Sequence, residues 1–398
     1  MTKNKTTNLE YTCIFGGGAI RGLAYIGALK ALDELEIKLN TLAGSSVGSI
    51  FAGLLAVGYS TQEVEDIILK VNFELFKDIQ LGKNSISKGE IFLEWIRELL
   101  ERKFYGTEYE KGKNSPVRFC DIEKNLVIFT TNLAGFSCKE FSAVKTPDAE
   151  IAYAIRISCS MPGLMPPVNA SGAILVDGDL QKSWPLWKLS EDICKSKDRI
   201  LEFRLEGDYD VEKHGNINFA NTVYSCVTSV ATKFIVDKYA QKDKFDYIVL
   251  NTGSTIIVDF NINDDKRLEL VQNGYIQTKD YFENYLKSKK KALLEYYMPI
   301  KNLVVKLDKE VKNKQFFKAK IELGDFYMKY IQDVSKYIDK KYLKDLNTLK
   351  NLFLENYSVS MIFNRPNLKN SKHILYRIEK LNSDIDEKIL ELQFYSAS

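Results

Sequence analysis

Residues 11–32 read YTCIFGGGAIRGLAYIGALKAL: a short apolar run, four glycines and an arginine within positions 16–22, then apolar residues at helical spacing. An extended run feeding a glycine turn that opens a helix is a βα unit, and the residues downstream repeat the plan. Leu39–Ala43 reads as a second strand, GSSVG follows at 44–48, and Ser49–Val57 reads as an apolar helix. Val64–Phe76 and Ile91–Phe104 have amphipathic helical spacing, Leu126–Thr131 reads as a strand, and a helix from Asp148 stops before Pro162. Ile174–Val176, Ile200–Leu205 and Tyr247–Leu250 are further strands, the last two flanking a helical stretch around Asn221–Ala240. Strands alternating with helices predict an α/β fold with a mostly parallel sheet covered on both faces. Beyond about Lys287 the strand signals fade into Lys- and Tyr-rich helical spacing, so a separate C-terminal α-helical region is expected.

Composition narrows the function. The 398 residues carry a formal charge of only +3, which gives the chain no polyelectrolyte character and no reason to expect nucleic acid. The charge is uneven, however: residues 289–398 hold 22 Lys and Arg against 14 Asp and Glu, a net of +8, leaving −5 on the rest. A basic tail on a mildly acidic body suits an anionic membrane surface or, less expected here, a nucleic acid, although a solvated lysine-rich helix face is the commoner origin. Cys13, Cys120, Cys138, Cys159, Cys194 and Cys226 form no C-x-x-C pair, which argues against a zinc site and a disulfide framework. The first ten residues, MTKNKTTNLE, lack the apolar core of a secretory signal, and the longest strongly apolar stretch, Ile50–Val57, is far too short to span a bilayer. A soluble, cytoplasmic chain, peripheral at a membrane if it meets one, is the expectation.

A glycine turn between strand and helix commonly receives an anion. A P-loop is excluded because Leu23 and Ala24 stand where its lysine and hydroxyl would be. A dinucleotide fingerprint fails because position 21 is Arg rather than Gly. The remaining anion is one made during a reaction: backbone N–H groups at a helix start can be aimed at a developing oxyanion. The next strand–helix junction supplies a nucleophile, since Gly44-Ser45-Ser46-Val47-Gly48 is a G-x-S-x-G elbow that would expose the Ser46 hydroxyl. An ordinary helix N-cap is the alternative for Ser46. The chain has only two histidines, His214 in a polar loop and His373 in the helical region, neither after a strand, so a Ser–His–Asp triad is not expected. Asp177, at the end of an apolar strand in ILVDGDL, is the candidate base on the same sheet edge, with a turn cap as the alternative.

These residues resemble the patatin-like phospholipases, in bacterial form: a GGGxRG loop at Gly16–Gly22, a GxSxG elbow at Gly44–Gly48 and an Asp-Gly motif at Asp177-Gly178 stand in family order. Softer matches lie at 130–142, at 154–168 and in NDDKRLELVQNGYIQTKDYF (263–282). The resemblance implies a three-layer patatin-like domain over residues 8–287, followed by a helical region at 288–398 with a regulatory, targeting or membrane role. It makes Ser46 the nucleophile and Asp177 the base, and lines the oxyanion hole with the backbone of Gly17 and Gly18, in a motif loop that includes Gly16 and Gly22 and is supported by Arg21. No metal or other cofactor is implied. The substrate would be the acyl ester of a membrane phospholipid or lysophospholipid. A latent effector needing a protein or small-molecule activator, or a non-catalytic module on the same fold, are the alternatives. One departure matters: Asp179 stands where the family carries Gly or Ala.

Overall fold

The computed structural model describes residues 9–76, 87–135, 137–170, 172–180, 199–207, 245–255, 259–355 and 368–397. The stretch around Asn221–Ala240, and His214, lie outside the described residues. The chain divides into two compact units: Met1–Ala240 with Phe245–Tyr281, and Gln241–Lys244 with Phe282–Ser398.

The first unit is built on an eight-stranded sheet. Its strands are β1 (Glu10–Phe15), β2 (Lys38–Gly44), β3 (Asn125–Asn132), β4 (Ser137–Ser142), β5 (Val168–Ala170), β6 (Ala173–Val176), β7 (Arg199–Glu206) and β8 (Phe245–Asn251). The parallel part runs β3-β2-β1-β7-β8. Helices α1 (Leu23–Glu34), α2 (Val47–Ala56), α3 (Thr61–Lys70), α4 (Glu90–Tyr105), α5 (Ile151–Ser158) and α6 (Asp264–Asp280) belong to the same unit. Both faces of β1 are buried, as its unbroken apolar run predicts. On one face Ile14 joins Ala43, Phe129 and Tyr247; on the other Phe15 stacks on Phe203 and meets Tyr25 and Phe51 edge-on or tilted.

The sheet is mixed at one end, which the sequence pattern did not announce: β4, β5 and β6 are antiparallel additions. Two helix boundaries also differ from expectation. The helix expected over Val64–Phe76 starts earlier, at a capping box of Ser60 with Glu63, and ends at Lys70, because Val71 turns extended; Phe73–Phe76 is a separate 3₁₀ turn. Helix α2 begins at Val47 rather than Ser49, directly after the serine of the elbow.

The second unit is all helical: α7 (Leu286–Lys312), α8 (Phe316–Lys329), α9 (Ile331–Tyr337), α10 (Lys340–Glu355) and α11 (Leu368–Ala397). It has a core of its own, drawn from buried residues at helical spacing such as Ile300, Val304 and Leu307 on α7 and Ile374, Ile378, Leu381 and Ile385 on α11. Among the described residues no helix is long and apolar enough to cross a membrane.

Candidate active site

The elbow comes first. Ser46 ends the β2 connection and caps α2 with φ 50° and ψ −131°, a conformation non-glycine residues adopt only under constraint. The constraint is visible in its hydrogen bonds. Ser46 N–H donates to Ser158 Oγ at 2.9 Å, and that hydroxyl donates on to the Phe129 carbonyl at 2.7 Å. The Ser46 carbonyl accepts from Ser49 N–H and Ser49 Oγ. Gly48 is required because a Cβ there would stand 2.1 Å from the Phe15 carbonyl oxygen. Gly44, at the end of β2, packs against the Gly48 carbonyl. The Ser46 side chain is left at the mouth of a cavity, with the residue 8% exposed.

Asp177 reaches Ser46 by sheet register. Strand β4 occupies one edge of β3 from Val127 to Asn132, so β6, paired at Thr131↔Val176, lies on the edge that β2 occupies up to Gly44↔Ile128. Strand β2 runs parallel to β3 and β6 antiparallel, so the two point their C-terminal ends at each other along that edge. Asp177 and Ser46 are the residues just past those ends. The carboxylate therefore comes from a head-on meeting of strands, not from neighbouring parallel ones. Asp177 N–H is anchored on the Ser160 carbonyl at 3.0 Å, and Gly178 packs its Cα against the Phe129 carbonyl and the Ser45 hydroxyl.

Asp177 is fully buried. Burial pushes its pKa up, the Asp179 carboxylate pushes it further, and hydrogen bonding from Ser46 and from the Asp179 N–H offsets part of this, leaving it at about 8. Oδ1 accepts from Asp179 N–H at 2.9 Å, while Oδ2 has no hydrogen-bond partner of ordinary geometry. The Ser46 hydroxyl is thus near enough to favour the carboxylate without a closed bond to Oδ2, the loose geometry common in sites without substrate.

The glycine loop runs over both residues. Gly16 is tied to β7 through Phe203 and to α1 through the Tyr25 hydroxyl. Gly17 donates its N–H to Asp179 Oδ2 at 2.7 Å. Gly18 caps the 3₁₀ turn Ala19–Gly22 at φ 153°, open to glycine alone, and Gly22 lies against Val47 of the elbow. Arg21 is buried, donates from Nε to the Thr255 carbonyl at 2.8 Å, and fixes the turn from behind. Every residue singled out by its motif thus lies at or just past the C-terminal end of β1, β2 or β6.

Residues without a motif complete the site. Ser158 and Ser160, polar positions in an apolar helical segment, hold the elbow and the Asp177 strand, and Arg156 braces Ser160 Oγ at 2.6 Å. Their only sequence signal was polarity inside an apolar run. Behind the glycine loop, Arg204 donates from Nε to Glu202 at 2.6 Å, and its Nη1 lies 3.7 Å from Asp179 Oδ2. Burial raises the Glu202 pKa to about 7. Both residues sit inside β7, RILEFRLE, and no motif singles them out.

A cavity of about 120 Å³ opens beside Ser46, lined by Ile20, Val47, Ile50, Phe73, Phe92 and Met161 among others. It is small beside the roughly 300–1,000 Å³ of pockets that enclose a whole drug-sized ligand, so it suits one unbranched apolar chain. Among the described residues no group of three metal-ligating side chains occurs.

A strained serine elbow, a buried carboxylate at its side and a glycine loop thus stand together in an α/β unit. The family model of the patatin-like phospholipases matches residues 13–186. Protein R571 of Acanthamoeba polyphaga mimivirus is 34% identical over 45% of this chain and 61% of its own length. The probable lipid hydrolase 463L of Invertebrate iridescent virus 6 is 29% identical over 44% of this chain and 61% of its own. The chain thus spans about three fifths of these curated relatives. The crystal structure of VipD from Legionella pneumophila, 15% identical, aligns with a TM-score of 0.51 over 100% of this chain and 97% of that one, a likeness of fold.

Proposed function

We propose that the chain is a serine lipid acyl hydrolase that cleaves fatty-acyl esters of membrane phospholipids or lysophospholipids with a Ser46–Asp177 dyad. The observation that carries this reading is the meeting of Ser46, Asp177 and Gly17 within one buried edge that opens onto an apolar cavity. The lipid hydrolase named for the iridescent virus relative agrees with it. In acylation the Ser46 proton passes to Asp177, the Oγ–C bond forms, and the carbonyl π pair becomes an oxyanion facing the Gly17 and Gly18 amides. Collapse expels the lysolipid alcohol, which takes the proton back from Asp177. Water, activated by the same carboxylate, then releases the fatty acid. The apolar cavity takes the acyl chain, and the basic second unit is read as the part that meets the membrane or an activator.

The test is fatty-acid release from mixed phospholipid vesicles by wild type and Ser46→Ala. A loss of about 10⁶ in turnover is expected where nucleophile and base act as a unit. Equal release by both proteins sinks the reading. A latent form of the same enzyme, silent until activated, is favoured by one specific observation: the Gly17 amide already has an anion on it.

A further inference from the structure

Gly17 carries one of the two amides that the oxyanion would need, and it donates instead to Asp179 Oδ2 at 2.7 Å. A Cβ at Gly17 would stand 2.4 Å from that oxygen and 2.9 Å from Ser46 Cβ, so carboxylate, amide and serine share one small volume. Asp179 is buried, so water does not screen the contact. A carboxylate accepting from a backbone N–H is chemically what a tetrahedral oxyanion would be at the same place. Two anions cannot share that single donor in a dry site. The carboxylate has a second partner at hand: Arg204 Nη1 lies 3.7 Å from Oδ2, within ion-pair range but beyond hydrogen-bond length, on a side chain already fixed by Glu202.

We propose that Asp179 is a positioning residue for acyl transfer: in the resting enzyme its carboxylate occupies the Gly17 donor in place of the oxyanion, and it must give up that donor, moving onto Arg204, for the reaction to proceed. The proposal rests on the reading of Ser46 as nucleophile. It explains why a third position occupied by Gly or Ala in the resembled family is tolerated here as Asp: the side chain has a donor on one side and a guanidinium on the other. It also gives latency a physical form. Whatever shifts the 3₁₀ turn Gly178–Leu180, substrate or activator, frees the glycine loop.

The full chain is compared with Asp179→Gly and Asp179→Asn for the rate at which a long-chain alkyl fluorophosphonate labels Ser46. In that reaction the Oγ–P bond forms, fluoride leaves, and the phosphonyl oxygen needs the same amides. Asp179→Gly is expected to label faster by about tenfold or more, the difference between a charge-assisted hydrogen bond and none. Asp179→Asn falls between, because its amide oxygen still accepts without the charge. It keeps the size of the side chain and the N–H bond to Asp177, which guards against a glycine variant that fails to fold. Inhibition by an acyl trifluoromethyl ketone, whose adduct is an oxyanion, tightens in the same order, a change a mere brace would not produce. Labelling of both variants at or below the wild-type rate, with Ser46 still the labelled residue, overturns the role of Asp179 and leaves the hydrolase reading standing. If no chain is labelled at Ser46, both fall together.

Discussion

At the residue scale the site is a set of stored costs. Ser46 is held at positive φ, which costs on the order of 1–3 kcal/mol, and the Ser158 and Ser49 hydrogen bonds keep it there. Asp177 is buried with one oxygen unpartnered, so its ionisation opposes folding. Its pKa is raised from the ordinary value near 4 to about 8, so the folded chain binds more protons than the unfolded one between those limits. The stability this group contributes is complete below pH 4 and is lost as pH rises through about 8. Asp177→Asn therefore melts close to wild type near pH 4 and increasingly above it toward pH 9, measured by thermal unfolding in matched buffers. Glu202 shifts in the same window but is present in both proteins and cancels. A constant difference across the range would contradict a buried, titrating Asp177. If Asp177 is the base proposed above, ester hydrolysis by wild type rises over the same interval, because it must be ionised to take the serine proton.

Most of these residues were legible in the sequence because their constraints are local. A G-x-S-x-G turn and a GGGxRG turn are set by steric needs within a few positions, and the scarcity of histidine directed the search to a carboxylate. Asp179 was visible as a departure from the family pattern, but its partner was not. Gly17 lies 162 positions away, and only the assembled sheet brings the two together. Ser158, Arg204 and Glu202 were missed for the same reason: a buried polar residue is recognised by its partner, and the partner is distant in the chain.

At the element scale, the strands that place the site follow two different rules. The parallel strands were all expected, although β7 carries four charged residues among its eight. SCKEFS is mostly polar and VNA is three residues long, so β4 and β5 carry too little pattern to be read. Strand β6 was readable, but its direction was not, and direction is what aims Asp177 at Ser46. Helix packing adds a second case. Gly27 on α1 and Gly274 on α6 let the two helices touch backbone to backbone: a Cβ on Gly274 would lie 1.9 Å from the Ala24 carbonyl oxygen, and one on Gly27 1.8 Å from that of Val271. Neither glycine caps or kinks its helix, so close approach is the reason for both. Gly274→Leu must force α1 and α6 apart and is expected to cost about 1–3 kcal/mol or more, read as a lowered melting temperature. An unchanged melting temperature would mean that the crossing carries little of the fold.

At the scale of the whole molecule, two separate cores and two signs of charge divide the chain in related ways. The helical part was legible from its spacing, since apolar residues recur at three and four positions along α7, α10 and α11 and close a core without any strand. What that part does was not legible, because charge has no period and a lysine on a solvated face reads like a lysine that meets a phosphate. Many of its lysines are engaged locally: Lys301 with Asp386, Lys312 with Asp308, Lys318 with Glu310 and Lys341 with Asp384. The exposed pairs among these are individually weak, about 0–1 kcal/mol, and can be exchanged for lipid phosphates at little cost, whereas the buried Glu310 holds Lys318. Ionic strength separates the two meanings of the charge. If the net +8 of residues 289–398 draws the enzyme to its substrate, hydrolysis of anionic vesicles falls steeply between about 0.1 and 1 M salt, as the Debye length shrinks from about 10 to about 3 Å. Hydrolysis of a soluble short-chain ester by the same preparation stays level, because Ser46, Asp177 and Gly16–Gly18 are buried from salt. Parallel curves for the two substrates would assign the lysines to solvation alone, and the second unit would then have to act through contacts other than charge.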